Sequence, residues 1–320
     1  MKKVLQYILL FSILSLTNAK SYGSSSGEPS ATTLPWFTGP LLTPTAYVLE
    51  KGQSNIEPYL YWHNTNGHYN DNWSATSVKQ FHQIVPQLTF RFGLGEKLDF
   101  SGSLQSYASW SQGATGKSFG DIPVGLEYQL YKSDEPDEPM LAKVVLQETF
   151  PTGRYQHLKP NGFGTDIGGQ GTFATQIGFA FSKQIKLQDE RYFRARWFIS
   201  ASIPTPVRVE GVNVYGGSTT THGKVYPGII STFYNSIEYT ITNNWTFACD
   251  LKIRYAGRNH FKGYSDTAMT SPLSLQFSLA PAIEYNWNEV IGFIIGPWFS
   301  FAGKNSPRFI TYVAALNYNF

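Results

Sequence analysis

Six acidic side chains (Glu57, Asp99, Glu127, Glu238, Asp250, Glu284) and six basic ones (Arg91, Lys143, Arg194, Arg196, Lys252, Arg254) stand in runs where every second residue is apolar. A strand turns successive side chains to opposite faces, so these charges share the face opposite the apolar one. Two kinds of chemistry suit such a set. Opposed charges can cross-link and fill an interior, because a charge taken from bulk water must be paired or hydrated. They can instead be pore-lining groups that select solutes by charge. Arg194, Arg196, Lys252 and Arg254 would make a basic ladder only if their strands faced each other across that space. Tyr59, Tyr61, Tyr107, Phe198 and Trp298 fall on the same polar side. They either offer stacking surfaces to a sugar or aromatic solute or pack the interior.

Catalysis has little to stand on. His63, His68, His82, His157, His222 and His260 show no metal-ligand spacing, so no metal and no cofactor is expected. A membrane lipase needs Ser and His within hydrogen-bond reach. His82 with Ser109 or Ser106 is the one arrangement that can be drawn. The alternation turns His82 inward and Ser106 outward, which separates them. No catalytic residue is assigned, and the chain is not expected to be an enzyme.

The elements that must position these residues emerge from composition and period. Of 320 residues, 42% are hydrophobic and 16% aromatic but only 15% charged, which excludes disorder. Cys249 is the single cysteine, so there is no disulfide scaffold. Lys2 and Lys3, an apolar stretch over 4–16 and Thr17-Asn18-Ala19 read as a secretory signal over 1–19, cleaved after Ala19 for Sec export. Outside it no apolar run reaches the about 20 residues of a membrane helix. With two of the 25 basic residues in the signal and 22 acidic residues in the chain, the remainder is near neutral. That gives no electrostatic case for a nucleic-acid partner.

Residues 20–52, rich in Ser, Thr, Pro and Gly, read as an irregular lead-in that either plugs the interior enclosed by residues 53–320 or stays loose. From 53 to 320 the period is two throughout. Twelve runs emerge: 53–63, 80–92, 98–110, 119–131, 140–150, 170–184, 191–204, 225–241, 245–257, 272–287, 290–302 and 308–320. Connections alternate long and short: 64–79, 151–169, 205–224 and 257–271 are long, while 93–97, 132–139, 185–190, 242–244 and 288–289 are short. Only 303–307 is short where a long one is due. This asymmetry describes an antiparallel transmembrane β-barrel of about twelve strands in the bacterial outer membrane. Trp62, Trp110, Trp245 and Trp287 fall at strand ends. Tyr318 and Phe320 close the last alternation and resemble the C-terminal signal read by the barrel-assembly machinery. A secreted β-sandwich shows the same alternation and is the alternative fold. Glu148 and Asn235 fall on the lipid face and call for a bulge or a place at the rim.

Gly120-Asp121-Ile122-Pro123-Val124-Gly125-Leu126-Glu127-Tyr128 leads to Phe150-Pro151-Thr152-Gly153-Arg154 and then Gly164-Thr165-Asp166. Over 119–182 this resembles the outer-membrane family of putative transporters of the phenol-degradation meta-pathway. The acidic turn at 132–139 and the loop at 205–224 depart from the family pattern. The resemblance implies a barrel that takes up small, aromatic or hydrophobic compounds, with structural roles for the motif residues. The expected function is a channel or transporter for small solutes. The alternatives are a closed barrel whose outer loops serve adhesion and, third, an outer-membrane lipase. Expected partners are outer-membrane lipids and lipopolysaccharide, the assembly machinery and a small solute.

Overall fold

The computed structural model describes residues 37–135, 137–187 and 191–320. The expected signal at 1–19 and the lead-in up to 36 lie outside the described residues. In chain order the strands are β1 (Ser54–Tyr69), β2 (Ala75–Gly93), β3 (Leu98–Ser111), β4 (Ala114–Phe119), β5 (Ile122–Lys132), β6 (Met140–Phe150), β7 (Ala174–Lys186), β8 (Tyr192–Pro204), β9 (Val207–Glu210), β10 (His222–Tyr226), β11 (Ile230–Thr240), β12 (Trp245–Ala256), β13 (His260–Tyr264), β14 (Ser274–Asn286), β15 (Ile291–Lys304) and β16 (Ser306–Asn319). β4 and β5 pair with successive halves of β3, so they are one interrupted strand. Each main strand pairs antiparallel with its chain neighbours, and β16 returns to pair with β1. The result is a closed barrel of twelve strands. Ser54 and Phe320 exchange backbone hydrogen bonds of 2.8 and 2.9 Å at the seam. One closed sheet, not two stacked ones, excludes the sandwich.

The outward alternation leaves an apolar belt. Leu60, Leu104, Leu146, Phe179, Ile199 and Ile295 are each between 48% and 57% exposed, around the whole circumference. Water does not tolerate so continuous a band, whereas hydrocarbon requires it together with closure. Trp245 meets Tyr285 at a tilt (4.7 Å between centroids), Tyr285 meets Trp287 edge-on (5.1 Å), and Tyr318 stacks on Phe320 (5.3 Å). These rings form a girdle at the short-turn, periplasmic end.

Three expectations need correction. Residues 64–79 are not a long loop: β1 and β2 continue as a hairpin to a tight turn at 70–74. Beyond the bilayer both faces of a strand meet water, so Asn64, Thr65, His68, Thr76 and Lys79 show no alternation of hydropathy, although the backbone still pairs. Trp62 consequently lies inside its strand and contacts Tyr312 at 5.8 Å. The run 119–131 begins earlier, as β4, and breaks at Gly120-Asp121. The run 225–241 is two strands, β10 and β11, bent apart at Pro227-Gly228, and β10 joins β9 and β13 in a small separate sheet at the long-loop end.

Candidate functional site: the barrel interior and its side opening

Twelve strands about 4.8 Å apart and tilted by about 40° enclose a backbone radius of about 12 Å. Inward side chains leave room for one extended chain, and residues 37–49 fill it on the periplasmic side. Pro40 and Pro44 remove two backbone donors from this inner segment. The N–H groups that remain are aimed at inward carboxylates. Thr38 and Gly39 donate to Glu284 Oε2 (3.0 and 3.3 Å). Leu42 and Thr43 donate to Asp250 through their N–H groups (3.2 and 3.0 Å), and the Thr43 hydroxyl adds a 2.5 Å bond. Val48 donates to Gln129 Oε1 (2.8 Å) and Leu49 to Asp99 Oδ2 (3.1 Å). Leu41 packs against inward Ala248, Ala280, Ala282 and Ala315, and Ala46 against Ala180. Small inward residues in a barrel otherwise lined with long ones were the sequence signal that something else fills this half.

The remaining charges meet one another. Arg91 sits 2.5 Å from Asp99 and 3.6 Å from Glu127, and Glu127 also pairs with Lys143. Arg91 donates to the Tyr47 carbonyl at 2.8 Å. Arg196 grips Glu238 with two bonds of 2.7 and 2.9 Å. Arg194 bonds Gln184 (2.6 and 3.1 Å) and lies 3.8 Å over the Phe37 ring. Glu57 accepts from Tyr59 (2.8 Å) and Asn317 (3.0 Å). The basic ladder does not form, because β11 lies between β8 and β12. Lys252 instead sits over Tyr234 and Trp298 (5.0 and 4.8 Å). Arg254 lines the outer chamber. Of the inward aromatics, Tyr59 stacks on Tyr61, Phe198 packs against Tyr234, and Trp298 meets Phe309 edge-on.

Lys143 is 1% exposed. Lys143→Met strands the Glu127 carboxylate with only the more distant Arg91. It should lower stability by about 3–5 kcal/mol, and adding Glu127→Gln should recover most of the loss. Urea unfolding followed by gel mobility checks this.

On the long-loop side the lumen opens into a chamber of about 430 Å³ bounded by His68, Gln170, Tyr215, Arg254 and Asn259. A second cavity, of about 450 Å³, crosses the wall. Outward Leu88, Leu104, Phe119 and Ile122 border it together with inward Tyr59, Gln87 and Gln105. The ladder fails here for local reasons. Pro86 on β2 has no N–H to donate, and β2–β3 pairing skips from Ile84↔Ala108 to Gln87↔Gln105. The β4–β5 break leaves Ser103 and Leu104 without partners on that side, where Pro123 again lacks a donor.

The family-like motif builds this break. Asp121 accepts from Gly153 N (2.9 Å) and Gln170 N (2.7 Å), and Thr152 Oγ1 donates to the Gly120 carbonyl (2.8 Å). A Cβ at Gly169 would fall 2.0 Å from Asp121 Oδ1, so glycine is needed for the close approach. Asp121→Ala removes two charge-assisted bonds, about 1.5–3 kcal/mol each. The 151–170 loop should become a site of rapid protease cleavage in an otherwise intact barrel.

Two further placements differ from or resolve expectations. His82 faces outward: it stacks on Trp110 (5.4 Å, 12°), and its Nδ1 meets Asn64 Oδ1. Ser109 is inward and accepts from Gln83 (3.0 Å). Ser106 shares the outer face with His82 but lies four residues along β3 from Trp110, its register partner, about 13 Å away. Strict alternation back from inward Arg91, nine residues along the unshifted β2 register, turns His82 outward, so its inward assignment is a miscount along the strand. Glu148 sits two residues from the outer end of β6 and accepts from Thr175 (2.6 Å). Asn235 is buried between its register neighbours Trp197 and Leu251. Among the described residues no group of three or more His, Cys, Asp or Glu could hold a metal.

No family model matches the chain, and no curated protein matches it by sequence. Solved structures do. An outer membrane channel from Pseudomonas putida F1 superposes with a TM-score of 0.66 at 15% identity, covering 86% of this chain and 98% of that one. The β domain of the Bordetella autotransporter Brka gives 0.45 at 8% identity, covering 84% and 100%. A deltaS2S3 mutant of the TodX monoaromatic hydrocarbon channel gives 0.43 at 12%, covering 90% and 96%. The closed sheet, the apolar exterior and the first of these likenesses agree: the chain has the fold of a bacterial outer-membrane channel barrel.

Proposed function

We propose that this barrel is a channel for small hydrophobic or aromatic solutes, with the inner segment as its plug. A solute would enter the outer chamber, meet the lumen near Tyr59 and Gln87, and leave sideways through the wall opening into the bilayer. The observation that carries this reading is the opening itself: polar side chains on its lumen side and Leu88, Leu104, Phe119 and Ile122 on its lipid side. The axial route is occupied by residues 37–49, whose backbone is hydrogen-bonded to three carboxylates and Gln129.

Membership of the phenol meta-pathway transporters is supported by the Gly120-Asp121 and Pro151-Thr152-Gly153 motif, whose residues frame the opening. Phospholipid and lipopolysaccharide would contact the belt, and the assembly machinery would read Tyr318 and Phe320. The charged interior residues act in this reading as anchors for the plug and as wall cross-links, with Lys252 and Arg254 facing the solute.

The test is uptake into proteoliposomes of toluene against a sugar of similar size. Toluene flux well above that of protein-free liposomes, with no sugar flux, supports the reading. Equal flux of both would make the protein an unselective aqueous pore and sink it.

A further inference from the structure

Sheet β9–β10–β13 has two unlike faces. Val207, Val209 and Val225 are buried on one, against Met269 and partly buried Tyr155, Tyr215 and Phe261. Tyr215 also bounds the outer chamber, so this face looks toward the loops over the lumen. The opposite face, turned away from them, carries Arg208, Lys224 and Lys262 in one register row across the three strands. Neighbours in such a row stand about 4.8 Å apart.

All three are exposed, and among the described residues none has a carboxylate within ion-pair distance. Both ammonium groups gather over the Tyr226 ring, at 5.5 and 5.4 Å. The next row is Glu210, His222 and Tyr264, with His222 stacked on Tyr264 (5.7 Å). The nearby carboxylates are otherwise engaged. Glu210 faces His157 at 3.7 Å, and Asp266 accepts from Thr220, Tyr264 (2.7 Å) and Ser218 (3.3 Å). Those hydroxyls, Thr220 foremost, hold the Asp266 carboxyl below the usual carboxylate range. Like charges held together without counter-charges are destabilising unless an anion comes between them.

The height of the row narrows the choice of anion. Arg208 is four residues beyond the end of β8, Lys262 six beyond β12, and Lys224 six before β11. Those offsets allow up to about 13–20 Å of chain between the barrel rim and the row, on the long-loop side that a surrounding leaflet's headgroups would flank. Phosphate suits the set: guanidinium binds it bidentately and ammonium as a point charge.

We infer that this face binds the phosphate groups of the lipopolysaccharide surrounding the barrel. The inference rests on the membrane placement above. A chain that does not insert into bilayers fails that placement, whereas an inserted barrel with no glycolipid preference fails this inference alone.

The experiment measures lipopolysaccharide retained per folded barrel in detergent, with heat-modifiable mobility certifying the fold. Arg208→Ala, Lys224→Ala and Lys262→Ala together should weaken retention at least about tenfold, because each basic residue near an anionic surface adds to the attraction. The control triple Lys51→Ala, Lys97→Ala, Lys132→Ala at the opposite end should not. If the first triple does not fold, Lys224→Gln with Lys262→Gln gives the same readout at smaller size. Enzymatically dephosphorylated lipopolysaccharide should bind the unmodified protein weakly. Retention unchanged in the triple, or equal retention of the dephosphorylated form, overturns the inference. So does soluble polyphosphate binding as tightly as the glycolipid, since the face would then be a general polyanion patch.

Discussion

Deleting residues 37–49 is expected to convert a nearly closed barrel into an open pore. In a planar bilayer the single-channel conductance should rise severalfold. The segment is held chiefly by Asp250 and Glu284, which accept five of its hydrogen bonds. Charge-assisted bonds contribute about 1.5–3 kcal/mol each when buried, partly offset by the cost of burying the carboxylates. Asp250→Ala with Glu284→Ala should therefore loosen the segment and give frequent transient openings rather than a steady one. Selectivity is set by which charges remain unpaired. Arg91, Asp99, Glu127 and Lys143 form a closed network and Arg196 holds Glu238, but Asp250 and Glu284 have no basic partner within 4.0 Å among the described residues. Their ligands are the N–H groups of the inner segment, so removing it leaves two bare carboxylates in the lumen, set against Arg194, Lys252 and Arg254, which have no carboxylate within 4.0 Å among the described residues. Adding the two alanine substitutions to the deletion should shift selectivity toward anions, because Arg194, Lys252 and Arg254 remain, without closing the pore. A deletion variant that folds and conducts no better than the intact chain would mean that something other than this segment closes the barrel.

How far the residues alone disclosed this arrangement depended on what surrounded each one. Within the bilayer thickness every strand has lipid on one side and a polar interior on the other, so alternation is strict and the barrel strands from β5 to β16 were legible, but not the separate β9–β10–β13 sheet. Above the bilayer the two sides are alike, and the outer part of the β1–β2 hairpin left no periodic trace although its backbone pairs on both sides of a bulge at Thr65–Gly67. The side opening was hidden for another reason. It arises from what Pro86 and Pro123 cannot do and from a loop, 151–170, folding back on Asp121 from about 30 residues away. The motif itself was visible, but not that it marks a gap. The plug was legible only in part. The Ser, Thr, Pro and Gly of residues 20–52 marked irregular chain but left open whether it plugs the interior or stays loose. That the carboxylates face backbone N–H groups, and not the basic residues of neighbouring strands, is a matter of three-dimensional proximity. His82 shows the limit of counting: a slip of one residue along a strand reverses the face assigned to a side chain.

The side opening is tested by filling it. Ser106 faces outward on β3, in register with Phe119 of β4, and borders the cavity. Ser106→Trp places a large apolar group among Leu104, Phe119 and Ile122, where lipid already favours aromatic residues, so folding should be unaffected. Toluene uptake into proteoliposomes should fall severalfold. Leu316→Trp, on the lipid face of β16, changes the exterior equally and should leave uptake unchanged. The comparison gains force in the 37–49 deletion background. There, ions cross along the axis while a hydrophobic solute retains its sideways route, so Ser106→Trp should cut toluene uptake and spare conductance. If conductance falls with uptake, the tryptophan has distorted the barrel and the two routes are not separate. If uptake survives Ser106→Trp in both backgrounds, the solute does not leave through this gap. The interruption of β4 and β5 would then serve only to let the 151–170 loop dock on Asp121, and the lateral route would have to be abandoned in favour of an axial one past a mobile plug.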